Sequence, residues 1–378
     1  MPRIQEKTNM WRLLLIPLYA FMLADSSHAQ DEQNCATVLM CGPRTLRGEN
    51  AIKTKEYNLT SDLPVLNISN NHVTFTTGFI RTRVIPVAYM IAIVIGIPSN
   101  ALVLAFLSRK TRCLSSAILY LSLAASDLLL LVSLTLKVHY HLNGNNWVFG
   151  ELACKLVTAS FYGNMYCCIH THMCISMLRY LAVVHPFLYR RLSKRSCTTW
   201  ASLTVWIVFA MAMAPELLPR QSYYLVNDGI ITCHDVLPYD DKLYNILIFY
   251  RLCLIFLGFI FPFAVIIFTY GSIVYQLSRS SCDFTYYIKA STLVFVIFLV
   301  CFTPSNTIHL IHYVRLYTSK QDDFYNYFSV AVCVCCFHSC LDPFLSYIIT
   351  KTSTPREIVS HFQNVSGKFG DSLQTYTR

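Results

Sequence analysis

Charge is what this sequence has least of. Of its 378 residues, 13% are charged and 54% apolar, where an ordinary soluble protein carries about 25% charge. Such a chain is no disordered polyelectrolyte and is a poor candidate for a soluble enzyme. There is no phosphate-binding loop, no nucleophile-base motif and no pair of acids placed for a soluble cleft, so catalysis is not expected. Nor is there a basic cluster interleaved with aromatics, so the net charge of +10 does not point to nucleic acid. It fits the lysine and arginine excess that membrane proteins keep in cytoplasmic loops.

The ends of the chain differ from its middle. Arg3, Lys7 and Arg12 precede an apolar run from Leu13 to Ala24, followed by Ser27-His28-Ala29. Small residues at the first and third of these positions suit signal peptidase, so residues 1–29 read as a signal peptide. The alternative is an uncleaved signal anchor. Residues 30–83 form a polar extracellular tail of low order, without helical or strand periodicity. Asn58-Leu59-Thr60 and Asn67-Ile68-Ser69 are glycosylation sequons within it.

From Val84 to Ser108 no Asp, Glu, Lys or Arg occurs, a length that crosses about 30 Å of hydrocarbon. Six further runs follow, giving spans at 84–108, 116–140, 152–183, 198–217, 244–275, 287–313 and 325–349. Runs of this length cross a membrane as helices. The expected fold is therefore an all-α seven-helix membrane bundle over residues 84–350, with 351–378 as a cytoplasmic tail. Short loops on one side hold eight Lys or Arg and those on the other hold four. The positive-inside rule then agrees with the signal peptide, placing the N-terminus outside the plasma membrane. On that topology Cys35, Cys41, Cys154 and Cys233 face the oxidising space. A bridge from Cys154 to Cys233 would pin the longest extracellular loop over the bundle; two free thiols are the alternative.

Charge inside a membrane is costly unless paired, so each buried charge is a functional candidate. Asp127 and Asp342 lie mid-span and can share a sodium ion or a proton, or simply hydrogen-bond. No cofactor is expected apart from such a sodium ion. Arg179 ends the third span, where it can snorkel to the cytoplasmic face. Pro215, Pro262, Pro304 and Pro343 should kink their helices. Cys333, Cys335, Cys336, His338 and Cys340 imitate a metal box, but no second coordinating segment is evident, and His170 and His172 read as packed side chains. No metal site is expected here.

In chain order, the sequence presents Gly96 with Asn100, Leu123-Ala124-Ala125-Ser126-Asp127, Cys154 with Arg179-Tyr180, Trp206, Pro262 with Tyr270, Cys301-Phe302-Thr303-Pro304 and Asp342-Pro343. This series resembles the rhodopsin-like G-protein-coupled receptors. Within that class, Tyr140-His141-Leu142-Asn143-Gly144-Asn145-Asn146-Trp147, Cys233-His234-Asp235-Val236-Leu237 and Cys340-Leu341-Asp342-Pro343 resemble the proteinase-activated receptors. The resemblance implies a heterotrimeric G protein as partner, Asp127, Asp342, Arg179 and Phe302 as ion-site or switch residues, and activation by a serine protease that cuts the tail.

Gly42-Pro43-Arg44 before Thr45-Leu46-Arg47-Gly48 offers the cut. Arg44 would fill an acidic specificity pocket, and Pro43 favours extended backbone. A thrombin-like enzyme is implied, although Lys53-Thr54-Lys55-Glu56-Tyr57 is of mixed charge where the family's thrombin receptors carry an acidic stretch. The expected tethered ligand is Thr45, Leu46, Arg47, Gly48, Glu49 and Asn50, 39 residues from the first span. A flexible tether of that length reaches roughly 35 Å, an effective concentration near the millimolar range. Its positive charge is expected to meet a loop holding Asp228, Asp235, Asp240 and Asp241, with Asp235 as partner beside His234, general electrostatic attraction being the alternative. Leu178 before Arg179, Ser346 in place of a tyrosine, Cys168, His172 and His338 depart from the class pattern. They raise the alternative of a cleavable co-receptor that presents protease to a related receptor and signals weakly itself.

Overall fold

The computed structural model describes residues 46–50, 65–67, 79–110, 117–218, 220–225, 229–234, 236–238, 241–278, 285–319 and 325–352. Seven helices are long and apolar enough to cross a membrane: α1 (Ile80–Arg109), α2 (Ala117–Leu142), α3 (Gly150–Val184), α4 (Lys194–Pro215), α5 (Ile248–Ser278), α6 (Ala290–Arg315) and α7 (Val330–Ile348). Each expected span coincides with one of them, to within five residues at every end. Helix α3 runs through the centre and packs against α2, α4, α5 and α6, while α1 closes against α2 and α7.

Proline sets the local geometry. Three wide helical turns, Ile80–Val84, Phe256–Ile260 and Phe298–Phe302, each end two residues before a proline, at Pro86, Pro262 and Pro304. Proline has no N–H to donate and its ring collides with the carbonyl four residues back, so the chain accommodates it by widening a turn. In α6 the Thr303 hydroxyl donates to the Phe298 carbonyl at 3.1 Å, using an acceptor within the widened turn. Helix α7 breaks differently: Tyr325–Cys336 and His338–Thr352 flank Phe337, which is a turn.

The core lies between α3, α5 and α6. Phe259, Phe263 and Phe298 stack nearly parallel with centroids 5.3–5.6 Å apart, and Phe298 leads on to Phe302. The widened turn in α5 places Gly258 against the ring of Tyr166, where an added Cβ would sit 2.6 Å from two ring carbons. Tyr166 is itself stacked on Phe209, so the ring has little freedom to retreat. Gly258→Ala is therefore expected to cost about 1–3 kcal/mol by overpacking, read as a lower thermal midpoint of the purified protein. Gly96→Ala meets only the methyl ends of Leu131 and should cost less. Equal losses would show that the Tyr166 ring moves aside.

The tail expectation needs correction. Leu46–Asn50 (β1) and Val65–Asn67 (β2) are strands, not irregular chain, and join Ser222–Leu225 (β3), Ile230–Cys233 (β4) and Val236–Pro238 (β5) in one sheet of order β4-β3-β2-β1-β5. Strand β1 pairs antiparallel with β2 and parallel with β5, β2 pairs parallel with β3, and β3 with β4 forms an antiparallel hairpin. Strands of five and three residues are too short to show a period of two; their order comes from partners distant in the chain.

Candidate functional site

Two polar groupings stand out in a protein otherwise filled by apolar side chains. The first joins α2, α3 and α7. Asp127, Cys168, His338 and Asp342 are all buried, and one ligand-capable atom from each lies within 4.8 Å of the others. The turn at Phe337 makes this possible, because the Cys335 carbonyl receives the Nδ1 of His338 at 2.5 Å. A ring nitrogen that close to a carbonyl must carry the proton, which aims Nε2 at Asp127 Oδ1, 3.3 Å away. Asn164 Nδ2 donates to Asp127 Oδ1 at 3.1 Å, and the Cys168 thiol reaches the same oxygen at 3.5 Å. On the other side, His172 Nε2 stands 3.1 Å from Asp342 Oδ1. Phe302 covers the group, its ring 4.8 Å from that of His338.

The two acids chosen from the sequence are thus brought together, but each is met by a histidine. Sodium is a hard cation that binds through oxygen, and here a thiol and an imidazole nitrogen face the carboxylates; the donor set does not suit it. Arg179 is buried, with a polar partner that the sequence reading did not foresee: it donates to the Tyr120 hydroxyl at 3.0 Å. Leu178, beside it, packs against the apolar core. Ser346 donates to the Asp342 carbonyl of its own helix at 3.3 Å, and Tyr347 points outward, 61% exposed.

The second grouping is the loop sheet and what lies beneath it. Cys154 and Cys233 form the disulfide, joining the start of α3 to β4. Glu151 holds the other hairpin strand: its carboxylate accepts from the Gln221 and Ser222 amides at 2.8 and 2.9 Å and from the Ser222 hydroxyl at 2.5 Å. His234 is buried, 2.7 Å from Gln221 Oε1, and meets the Tyr162 ring edge-on. From Tyr162 a chain of aromatic contacts continues to His309 and Tyr313, and Arg251 donates to the Tyr313 hydroxyl at 2.9 Å. Arg251 escaped the sequence reading, although a cation inside an apolar span carries the same signal that singled out Asp127.

Of the remaining candidates, Leu46, Arg47, Gly48, Glu49 and Asn50 make up β1, with Leu46, Arg47 and Gly48 in register with Val236, Leu237 and Pro238. Asn67 ends β2. Arg44, Thr45, Asn58, Asp228, Asp235, Asp240, Cys35 and Cys41 lie outside the described residues.

A seven-helix bundle with a loop bridged to its third helix defines the class, and comparison gives the same answer. Residues 99–345 match the family model for the 7 transmembrane receptor (rhodopsin family). Among individual proteins, the chain is 41% identical over 287 residues to proteinase-activated receptor 3 of Homo sapiens, covering 76% of this chain and 77% of that one. It is 34% identical to proteinase-activated receptor 2 of Mus musculus (76% and 73% covered) and 31% identical to proteinase-activated receptor 4 of Homo sapiens (81% and 80%). The chain belongs to the proteinase-activated receptors of the rhodopsin family: a multi-pass membrane receptor, and not an enzyme.

Proposed function

We propose that this receptor is switched on when a thrombin-like serine protease cuts after Arg44 at the outer face of the plasma membrane, freeing Thr45 as the start of a tethered ligand. The observation that carries this reading is the position of β1. It begins two residues past Arg44 and lies parallel to β5, in the loop that the disulfide fastens to α3. Backbone pairing supplies affinity that depends little on side chains, so a segment already in reach of its loop needs only a new end to bind differently. The relatives named for proteinase activation support the same step, and a heterotrimeric G protein is the cytoplasmic partner that the class uses. Incubating the full-length receptor with thrombin and sequencing the new N-terminus tests the reading. Thr-Leu-Arg-Gly-Glu-Asn is expected; an intact Arg44–Thr45 bond would overturn it.

The cytoplasmic half favours a second reading of output, in which the cut receptor signals weakly alone and assists a related receptor. Arg179 is engaged with Tyr120 in place of a neighbouring acid, and Tyr347 faces outward beside a serine bonded within its own helix. A ligand shifts a two-state equilibrium only by its differential affinity, so altered contacts at these elements change how much a bound ligand achieves. Cleavage in cells lacking related receptors is expected to give reduced G-protein dissociation, partly restored by Leu178→Asp with Ser346→Tyr. Full output from the unmodified receptor in those cells would eliminate this second reading.

A further inference from the structure

The cluster between α2, α3 and α7 has more features of a metal site than of a simple ion pair. Asp127 Oδ2 and Asp342 Oδ2 are buried with no hydrogen-bond partner, while Asp342 Oδ1 and His338 Nε2 are each met by a histidine–carboxylate contact, His172 Nε2 to Asp342 Oδ1 at 3.1 Å and His338 Nε2 to Asp127 Oδ1 at 3.3 Å. Buried acceptors left without donors are rare and costly, and here both belong to residues whose ligand-capable atoms lie within 4.8 Å of those of Cys168 and His338. Two separations already match those between neighbouring ligands of a tetrahedral ion, 3.3 Å from His338 Nε2 to Asp127 Oδ1 and 3.5 Å from Cys168 Sγ to the same oxygen. The surroundings match too. A metal-binding histidine fixes its free nitrogen by donating the other to a carbonyl, as His338 does to Cys335. Asn164 steadies both Asp127 and Cys168, at 3.1 and 3.3 Å.

We propose that Asp127, Cys168, His338 and Asp342 bind a zinc-class divalent ion that ties α2, α3 and α7 together. One thiol, one imidazole and two carboxylates suit a borderline ion with four ligands, where a hard cation would want oxygen alone. Binding releases the thiol proton of Cys168 and places two positive charges between two carboxylates buried within the membrane span. Four protein ligands close the site, so its role is structural, and Phe302 packed on His338 connects it to the widened turn of α6. The cysteines of α7 take no part: Cys340 faces the Ala92 carbonyl of α1 at 3.6 Å.

The test uses the full-length receptor, purified in detergent with a tag free of histidine and measured by elemental analysis. About one zinc per chain is expected, with zinc affinity falling roughly tenfold or more in Cys168→Ser and in His338→Asn. A strong chelator should lower the thermal midpoint of the unmodified receptor, and zinc, but not sodium, should restore it. Cobalt loading of the same protein should show a thiolate-to-cobalt charge-transfer band, a readout that needs no variant to fold. Folded receptor with far less than one zinc and a midpoint indifferent to chelator would leave two histidine–carboxylate pairs and overturn the proposal. So would a midpoint restored by sodium, cobalt binding without the thiolate band, or zinc held equally well by both variants.

Discussion

Arg44→Ala is expected to abolish the response to protease while leaving the receptor at the cell surface. A protease specificity pocket that has lost its arginine keeps a buried carboxylate without a partner, a loss of about 3–5 kcal/mol. That is roughly two to four orders of magnitude in cleavage rate. Among the described residues the pairing of β1 with β5 starts at Leu46, so the substitution leaves every described register pair intact. Two readouts separate the effects: tail release by protease should vanish, whereas free Thr-Leu-Arg-Gly-Glu-Asn at high concentration should still release calcium. The peptide has to act at high concentration because it lacks the effective concentration that attachment confers. Undiminished protease response from Arg44→Ala would move the cut elsewhere; a response to nanomolar free peptide would point to a diffusible ligand instead.

The bundle was legible in the sequence because a bilayer imposes a minimum length on every apolar run, and nothing in the chain competes with that requirement. The prolines announced disturbances at Pro262 and Pro304, and the structure makes them widened turns, a detail that depends on how neighbours pack. Asp127 and Asp342 were visible through the cost of burying charge. Their partners were not, although Cys168, His172 and His338 had each stood out as departures from the class. Their convergence depends on the rotation of three helices and on the break at Phe337, which no local pattern encodes. For the same reason Arg179 looked bereft beside Leu178, while its partner Tyr120 lies 59 residues away on α2. The strands of the tail were illegible because β1 and β2 each take a partner from the distant loop.

Cys233→Ser is expected to remove most of the folded receptor from the cell surface and to silence what remains. Cys154 and Cys233 are 79 residues apart, and closing a loop of that length by a disulfide is worth about 4–5 kcal/mol in the chain-entropy account. Besides the bonds that Glu151 accepts from Gln221 and Ser222, the loop is tied by hydrogen bonds from Trp147 N to the Ile231 carbonyl at 2.7 Å, Ile231 N to Asn146 Oδ1 at 3.0 Å and Lys137 Nζ to the Cys233 carbonyl at 3.2 Å. A neutral bond contributes about 0.5–1.5 kcal/mol and one that involves a charged group about 1.5–3 kcal/mol, so the bridge outweighs each of them, and Asn146→Ala should leave surface display nearly unchanged. The consequence for activation follows from distance along the chain. Strand β5 starts three residues after Cys233 and carries the register of Leu46, Arg47 and Gly48. Releasing β4 from α3 therefore frees the partner of β1, and a cut tail would meet a loop that no longer holds its place. Surface labelling, tail release and calcium should be measured on the same cells. Low surface label with normal tail release and no calcium response is the expected pattern. Normal label with a full response would mean that the hydrogen bonds alone position the loop.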